Sequence, residues 1–419
     1  MLNLPRRYAL LALAAIAALA YAPSLRIPLI ADDYPNISQA LTYGAPSGLA
    51  TLLGDAQFRL RATSYWAMCG LWNLAGLSPW VYRTASLLLH IANVWLLFLL
   101  LSAWPRMRPA AFWAAAFFAM QEGHQEAVMW FSAISELFMF GFGAAALWCW
   151  TTAGSWRRQA CGVALFALAL LSKESAIVLL PLFALVIEPS AWRTRLPRLL
   201  PHALLCAAAV ASIAQSRANS FRFSDGSFSL HAPFWITWPH SYARLLWVWG
   251  WPAAIVLLFL VRPAPRRNLL LAALWMGIAL VPYSFLTYST EIPSRQTYLA
   301  SAGLALLVGL ALAQYAHRRI ATVLLCVMLV HNTAYLWTKK QRQFVERAAP
   351  TSELLAFARS TPGPILMQCF PLPQIVAEEA LRLASGRTPA ELVWSAADPR
   401  AALAAPFCYT DRAQPKLLR

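Results

Sequence analysis

Residues 159–187, "QACGVALFALALLSKESAIVLLPLFALVI", decide the fold. Two apolar runs, 159–172 and 175–187, meet at the polar tetrapeptide "SKES" (172–175). A helix needs about 20 residues to cross a bilayer core about 30 Å thick, and neither run is that long. Both nevertheless return to a basic side: Arg157 and Arg158 precede the first, and Arg193, Arg195 and Arg198 follow the second. The expected geometry is a helical hairpin that rises only part of the way, with Lys173 and Glu174 at its tip. Charge and irregular backbone at that depth are prohibitive against lipid and require a protein-lined, water-filled cavity. The short run 109–121, leading into "QEGHQEAVMW" (121–130), implies the same cavity a second time.

The chain has 419 residues, 60% hydrophobic and only 12% charged. Soluble domains carry about 25% charged residues, so this is a membrane protein. Its apolar runs are 8–30, 80–103, 109–121, 137–152, 159–172, 175–187, 198–214, 242–261, 268–288, 297–316 and 319–337, eleven in all. Arg6 and Arg7 before "YALLALAAIAALAYA" imitate a secretory signal, but the reading preferred is an uncleaved first helix. The fold expected is an all-α polytopic bundle of about 11 transmembrane helices. The net charge of +17 falls in short clusters between the runs, a signature of membrane topology rather than of nucleic-acid binding. The basic connections face the cytoplasm by the positive-inside rule. The N-terminus is then inside and the C-terminus outside, in a multi-pass protein of the plasma (inner) membrane.

Nine of the ten acids before residue 338 belong to the other set of connections or its margin. They are Asp32, Asp33, Asp55, Glu122, Glu126, Glu136, Glu174, Asp225 and Glu291. An acid-bearing outer face is where chemistry is expected. Residues 31–79 form a long outer loop with two amphipathic stretches, "SGLATLLGD" and "SYWAMCGLWNLAGL"; residues 215–241 form a second. From 338 the composition turns soluble, dividing the chain into a transmembrane domain, 1–337, and a small α/β appendage outside, 338–419. Cys369 and Cys408 lie in its strand-like stretches "ILMQCF" and "PFCYT", in an oxidising compartment, and are expected to pair. The other five cysteines show no metal-ligand spacing and read as small core residues.

The polar residues that converge on the cavity are Asp32 and Asp33 after the first run, His124 and Glu126, Lys173 and Glu174 at the hairpin tip, and Glu291, Arg295 and Tyr298 before the tenth run. A base beside several cations, partly within the membrane, suits a lipid-linked phosphate as leaving group, because low dielectric strengthens charge neutralisation.

These residues resemble a family. "IADDYPNI", "RATSYWAMCGLWNLAGLSPWVYRTASLLLH" (61–90), "HQEAVMW", "SKESAIVLLP" and "SRQTYLASAG" are similar, in order, to segments of the GT-C superfamily of membrane glycosyltransferases that use polyprenyl-phosphate sugars. The nearest likeness is to the protein O-mannosyltransferases bearing tetratricopeptide repeats. Departures are Gln121-Glu122 for Asn-Pro, Ile134 for Arg, Ser294 for Glu, and the short tail in place of the repeats.

The resemblance implies a GT-C-like bundle and inverting hexosyl transfer, mannosyl in the nearest relatives. The donor is a polyprenyl-phosphate sugar, and the acceptor is a hydroxyl of a protein, lipid or glycan. Asp32 is the expected base, with Asp33 orienting the acceptor or sharing the role. Lys173 and Arg295 are expected to hold the lipid phosphate, or alternatively to pair with Glu174 and Glu291. His124 and Arg61 would donate to phosphate or sugar, or make structural hydrogen bonds; Glu126 would orient His124. No Asp, Glu or His spacing commands a metal, so no cofactor is expected, although some members of the superfamily use a divalent ion. Two other classes remain open: a polymerase or ligase of surface polysaccharide, and a transporter of a lipid-linked or anionic substrate. The transporter would show matching broken helices in two halves, but the outer-face acids cluster in the first six runs and no second half echoes them.

Overall fold

The computed structural model describes residues 5–152, 154–187, 191–216, 227–260, 266–287, 292–314 and 318–409. Glu188, Asp225, Arg262 and Glu291 therefore lie outside the described residues. Helix α1, Arg6–Tyr21, buries Ala9, Leu13, Ala17 and Ala20, one stripe along an Ala/Leu-rich cylinder. Leu11 and Leu19 on its other side stay exposed, as suits lipid. Further along, the chain forms α2 (Asp33–Tyr43), α3 (Leu49–Gly54), α4 (Ala62–Ala75) and α5 (Pro79–Ala103). α5 starts on a proline at its first position, where the missing N–H goes unneeded. Its buried side chains recur every three to four residues from Tyr82 to Leu101, as an amphipathic membrane helix requires.

Among the described residues, six helical stretches are long and apolar enough to cross a membrane: Arg6–Arg26, Pro79–Ala103, Phe131–Thr151, Trp192–Ser216, Arg267–Phe285 and Arg319–Ser360. A seventh arises if Phe234–Leu245 and Gly250–Phe259, bent by 81°, count as one span. Helix falls in each of the eleven runs, but length and composition do not give eleven crossings among the described residues. Part of the reason is packing. Helix α6, Ala111–Met120, and the helix Ser301–Ala313 are apolar all round, and almost every residue in them is buried. Surrounded by protein, neither has to match the bilayer's thickness. They pack so closely that a Cβ on Gly309 would lie 2.6 Å from the Ala114 backbone nitrogen. Small residues are what permit that approach.

Beyond α6, a short α7 (Gln125–Met129) and α8 (Ile134–Thr151) lead into the hairpin. Its arms are α9 (Trp156–Leu170) and α10 (Leu179–Leu185), joined by a turn and the 3-10 stretch Glu174–Val178. The Ser155 hydroxyl accepts the Arg158 N–H at the start of α9. The tip is fastened to the start of α4: the Thr63 N–H donates to Leu171 O (3.2 Å) and its hydroxyl to Ser172 Oγ (2.7 Å).

The last span runs without a break from 319 to 360, past the change of composition at 337 and 338. It delivers the chain to a three-stranded parallel sheet in the order β2-β1-β3. The strands are β1 (Ile365–Cys369), β2 (Leu392–Val393) and β3 (Ala405–Cys408). Helix Gln374–Ser385 makes the β1–β2 crossover and ends on Gly386 at φ +70°, the left-handed cap that glycine favours. A disulfide joins Cys369 to Cys408 across β1 and β3. Ala380 of the crossover helix packs with Tyr34 and Ile37 of α2, and Arg382 hydrogen-bonds Ser38. The appendage thus rests on the helix that begins at the aspartate pair.

Candidate active site

Seven residues, Trp130 to Glu136, organise the polar groups. This corner enters the first turn of α8 through the 3-10 stretch Phe131–Ala133. Ser132 donates its N–H and its hydroxyl to Asp33 Oδ1, at 2.8 and 2.6 Å. Ser135 Oγ accepts from Arg61 Nη1 (3.2 Å), and Glu136 receives Lys173 Nζ. The Arg295 guanidinium lies over the Trp130 ring, 5.0 Å from its centre. One polar corner therefore touches Asp33 and Arg61 between α1 and α4, the hairpin tip and the segment before Ser301.

The two aspartates have parted company. Asp33 is wholly buried, and its carboxylate also accepts the Ile30 N–H (2.8 Å) and Arg83 Nη2 (3.3 Å). Arg83 is fully buried as well, and donates further to the carbonyls of Ile27 and Pro28. Asp33 is consumed in holding this turn. Asp32 is exposed and makes no capping hydrogen bond to α2. Its surface opens to solvent, yet enough protein crowds the carboxylate to raise its pKa above the usual range. Asp33's charge raises it further and Arg295 opposes both. Just before it, Ala31 holds φ at +34°, a left-handed conformation uncommon for a residue with a Cβ. Such strain survives only where the surroundings enforce it. Here the enforcing bonds are those of Asp33.

Glu126 sits at the same mouth. It accepts from the Arg295 N–H (3.2 Å) and Nη1 (3.5 Å), and pairs with Arg347 Nη1 (3.5 Å) on the last long helix. Burial by itself would raise the Glu126 pKa, but Arg295, Arg347 and Ser294 together lower it. Lys340 stands nearby and hydrogen-bonds Gln343 (2.9 Å). Below the mouth, the hairpin tip forms a second layer. Glu174 pairs with Arg61 Nη2 (2.9 Å), while Lys173 pairs with Glu136 and lies 5.1 Å from the centre of the Tyr283 ring. Tyr283 Oη donates to Glu136 Oε2 (3.1 Å).

His124 and Tyr298 lie deeper still, both without solvent exposure. Ser301 Oγ donates to Tyr298 O (2.7 Å), so it receives the proton on His124 Nε2. Tyr298 Oη meets His90 Nδ1 (2.7 Å) and Asn93 Nδ2 (3.3 Å) amid the rings of Phe118 and Phe140.

The structure thus brings Asp32, Glu126 and Arg295 to one mouth, and Arg61, Lys173 and Glu174 to a layer below it. Asp33, His124 and Tyr298 are buried beneath. The expected partnerships are redistributed: Glu126 faces two arginines rather than His124, and Lys173 takes Glu136 rather than Glu174. Sequence reasoning passed over Arg83, Ser132, Ser135, Glu136 and Arg347 as site residues. For Ser132, Ser135 and Glu136 the signal was legible, since polar residues at i, i+3 and i+4 opening a membrane helix form one polar face. Among the described residues, no group of three His, Cys, Asp or Glu side chains could hold a metal ion.

No family model matches the chain, and no curated protein matches it. Among solved structures, ArnT from Cupriavidus metallidurans bound to undecaprenyl phosphate is similar at TM-score 0.51 and 14% identity. The match covers 91% of this chain and 88% of that one. The Archaeoglobus fulgidus oligosaccharyltransferase, tethered with an acceptor peptide, is similar at TM-score 0.47 and 11% identity, over 92% of this chain and 64% of its own. The long helices, the polar hairpin tip and the match along nearly the whole chain agree on the architecture: the fold is similar to that of ArnT, as the GT-C-like bundle implied by the resemblance requires.

Proposed function

We propose that the protein transfers a sugar from a polyprenyl-phosphate donor to a hydroxyl acceptor at the extracytoplasmic face, with inversion. The observation that carries this reading is the contrast within the aspartate pair. Asp33 is saturated by hydrogen bonds, while Asp32 is open, unbonded and raised in pKa beside Arg295. Asp32 takes the acceptor proton as the hydroxyl oxygen attacks the anomeric carbon. The bond from that carbon to the phosphate oxygen breaks, and polyprenyl phosphate departs with the electron pair. The leaving group needs no acid, only charge neutralisation, which Arg295 and Arg347 supply at the mouth. Lys173 and Arg61, each paired to a carboxylate, hold the floor beneath. His124 and Tyr298 hold the 294–301 segment that carries Arg295.

Support for a lipid-phosphate donor comes from the solved neighbour of the same fold, which was captured with undecaprenyl phosphate. The test is transfer from a radiolabelled polyprenyl-phosphate hexose by the full chain in proteoliposomes. Asp32→Asn is expected to lower turnover by roughly 10²–10⁴ while leaving donor affinity intact, because it removes a base and no cation. Wild-type turnover by a folded Asp32→Asn protein would remove Asp32 from the reaction.

A further inference from the structure

The far end of α8 carries a second site. Between the last turn of α8, the start of α9 and the start of the helix Leu200–Ser216 lies a cavity of about 230 Å³. It is lined by Trp150, Trp156, Gln159, Arg198, Pro201 and His202, among others. Glu136 and Trp150 are 14 positions apart on one helix, about 21 Å at 1.5 Å per residue, so the cavity is distinct from the mouth at Asp32.

Two polar side chains in its wall are buried. Trp150 is 6% exposed and its indole N–H meets no acceptor; His202 is 2% exposed, with its imidazole turned to the backbone carbonyl of Arg198 one turn earlier. The His202 ring is fixed by Trp150, Phe166 and Phe183, with centroids 5.6, 5.2 and 4.7 Å away. The wall therefore offers one fixed donor, the Trp150 N–H, and calls for an acceptor, since buried polar groups are normally paired. Arg198 lines the same cavity, and Arg195 lines a small recess continuous with it through Trp150 and Gln159. Neither arginine is paired with a carboxylate among the described residues. Arg157, Arg158 and Arg193 stand close by in sequence, with no acid among the described residues of these connections. A buried indole donor flanked by unpaired guanidinium groups suits a phosphate oxyanion.

The rim says where the phosphate comes from. Trp156 is 74% exposed at the start of α9, and Leu196 and Leu200 are exposed beside Arg198. Exposed tryptophan and leucine next to arginines, at the end of membrane helices, mark the headgroup level of a bilayer. We propose that this cavity binds the phosphate of an anionic membrane phospholipid, with the Trp150 N–H and Arg198 as its ligands and the acyl chains against Trp156 and Leu200. The bound lipid braces the foot of the hairpin whose tip carries Lys173. This site is independent of the sugar-transfer reading, which concerns the opposite end of α8.

The test uses the full chain, delipidated in an uncharged detergent, titrated with short-chain phosphatidylglycerol, phosphatidylcholine or inorganic phosphate. Bound molecules are counted by native mass spectrometry and thermal stability is followed in parallel. Phosphatidylglycerol is expected to bind well ahead of phosphatidylcholine. Arg198→Ala should weaken it roughly fivefold, and Trp150→Phe, which keeps the ring and loses the donor, should weaken it also, both without effect on phosphatidylcholine. Because Arg198 is exposed, its truncation leaves the fold intact even if Trp150→Phe perturbs it. Equal binding of the two lipids, or an undiminished preference in Arg198→Ala, overturns the proposal. Saturation by inorganic phosphate alone, with phosphatidylglycerol binding no tighter, also overturns it and makes this a free-anion site.

Discussion

Asp32 and Asp33 are neighbours in the chain and differ in everything that chemistry uses. No spacing rule separates two adjacent carboxylates, so the sequence carried the pair but not the division of labour. That division comes from Ser132 and Arg83, which lie 99 and 50 positions away from Asp33. For Asp32, the raised pKa has two consequences of known sign. A base works only when ionised, so kcat/KM should fall with decreasing pH through a pKa above the usual carboxylate range, and the profile should lose that limb in Asp32→Asn. A carboxyl whose pKa is raised by folding adds stability at low pH and loses it as pH rises through the folded value. At neutral pH the ionised group therefore opposes folding, and Asp32→Asn should melt slightly above wild type while transferring sugar far more slowly. Asp33→Ala should do something else. It leaves Arg83 charged and buried without a counter-charge, which costs about 3–5 kcal/mol, so thermal stability should drop sharply. A melting curve for each variant, read beside its turnover, distinguishes the two roles.

At the scale of elements, helices are the part of this fold most legible in the sequence, because apolar runs in a membrane need no partner to declare themselves. The hairpin was readable for the same reason: its arms are too short and its tip is charged. What the sequence concealed is how elements meet. Arg347 lies 221 positions from Glu126, counted from their numbers, and reaches it only because the last span continues as helix to Ser360. Glu126 is thus a clasp between α7, the Arg295 turn and that helix. Its pKa is lowered, so the clasp is complete above the ordinary carboxylate range and opens as pH falls through the depressed value. Glu126→Gln should free both arginines, raising the donor KM more than it lowers kcat; equal loss of both would place Glu126 in the chemistry itself. The appendage offers a separate test. The bridge between Cys369 and Cys408 closes 39 residues, for which chain entropy alone gives about 4 kcal/mol. Replacing both cysteines by serine should expose the region after Ser360 to protease, with cleavage measured against time, while the spans stay protected.

For the whole molecule, charge is the property that both sequence and structure express over the full length. The two ends of α8 differ in kind: Asp33, Arg61, Lys173 and Glu136 interlock at its start, while Arg198 and Arg195 near its finish have no carboxylate partner among the described residues. Acids balance the bases at one end and not at the other, the asymmetry that membrane insertion reads. The number of crossings was the least legible quantity, because a run's length shows whether it can span lipid and not whether it touches lipid. Helices α6 and Ser301–Ala313 are the instructive pair: each is short, apolar and enclosed by neighbours. Their enclosure is a tertiary fact with no local signature. Sidedness follows if the basic end is cytoplasmic, and it can be checked where nothing structural is disturbed. Gly54 is exposed and a Cβ there meets nothing within 4 Å, so Gly54→Cys should be tolerated. With Cys69, Cys149, Cys161, Cys206 and Cys326 replaced by alanine, an impermeant maleimide added to intact cells should label Gly54→Cys. Arg157→Cys should react only after the membrane is opened. Labelling of Arg157→Cys from outside would invert the bundle, place the Asp32 mouth in the cytoplasm, and deny it an acceptor on the outer face.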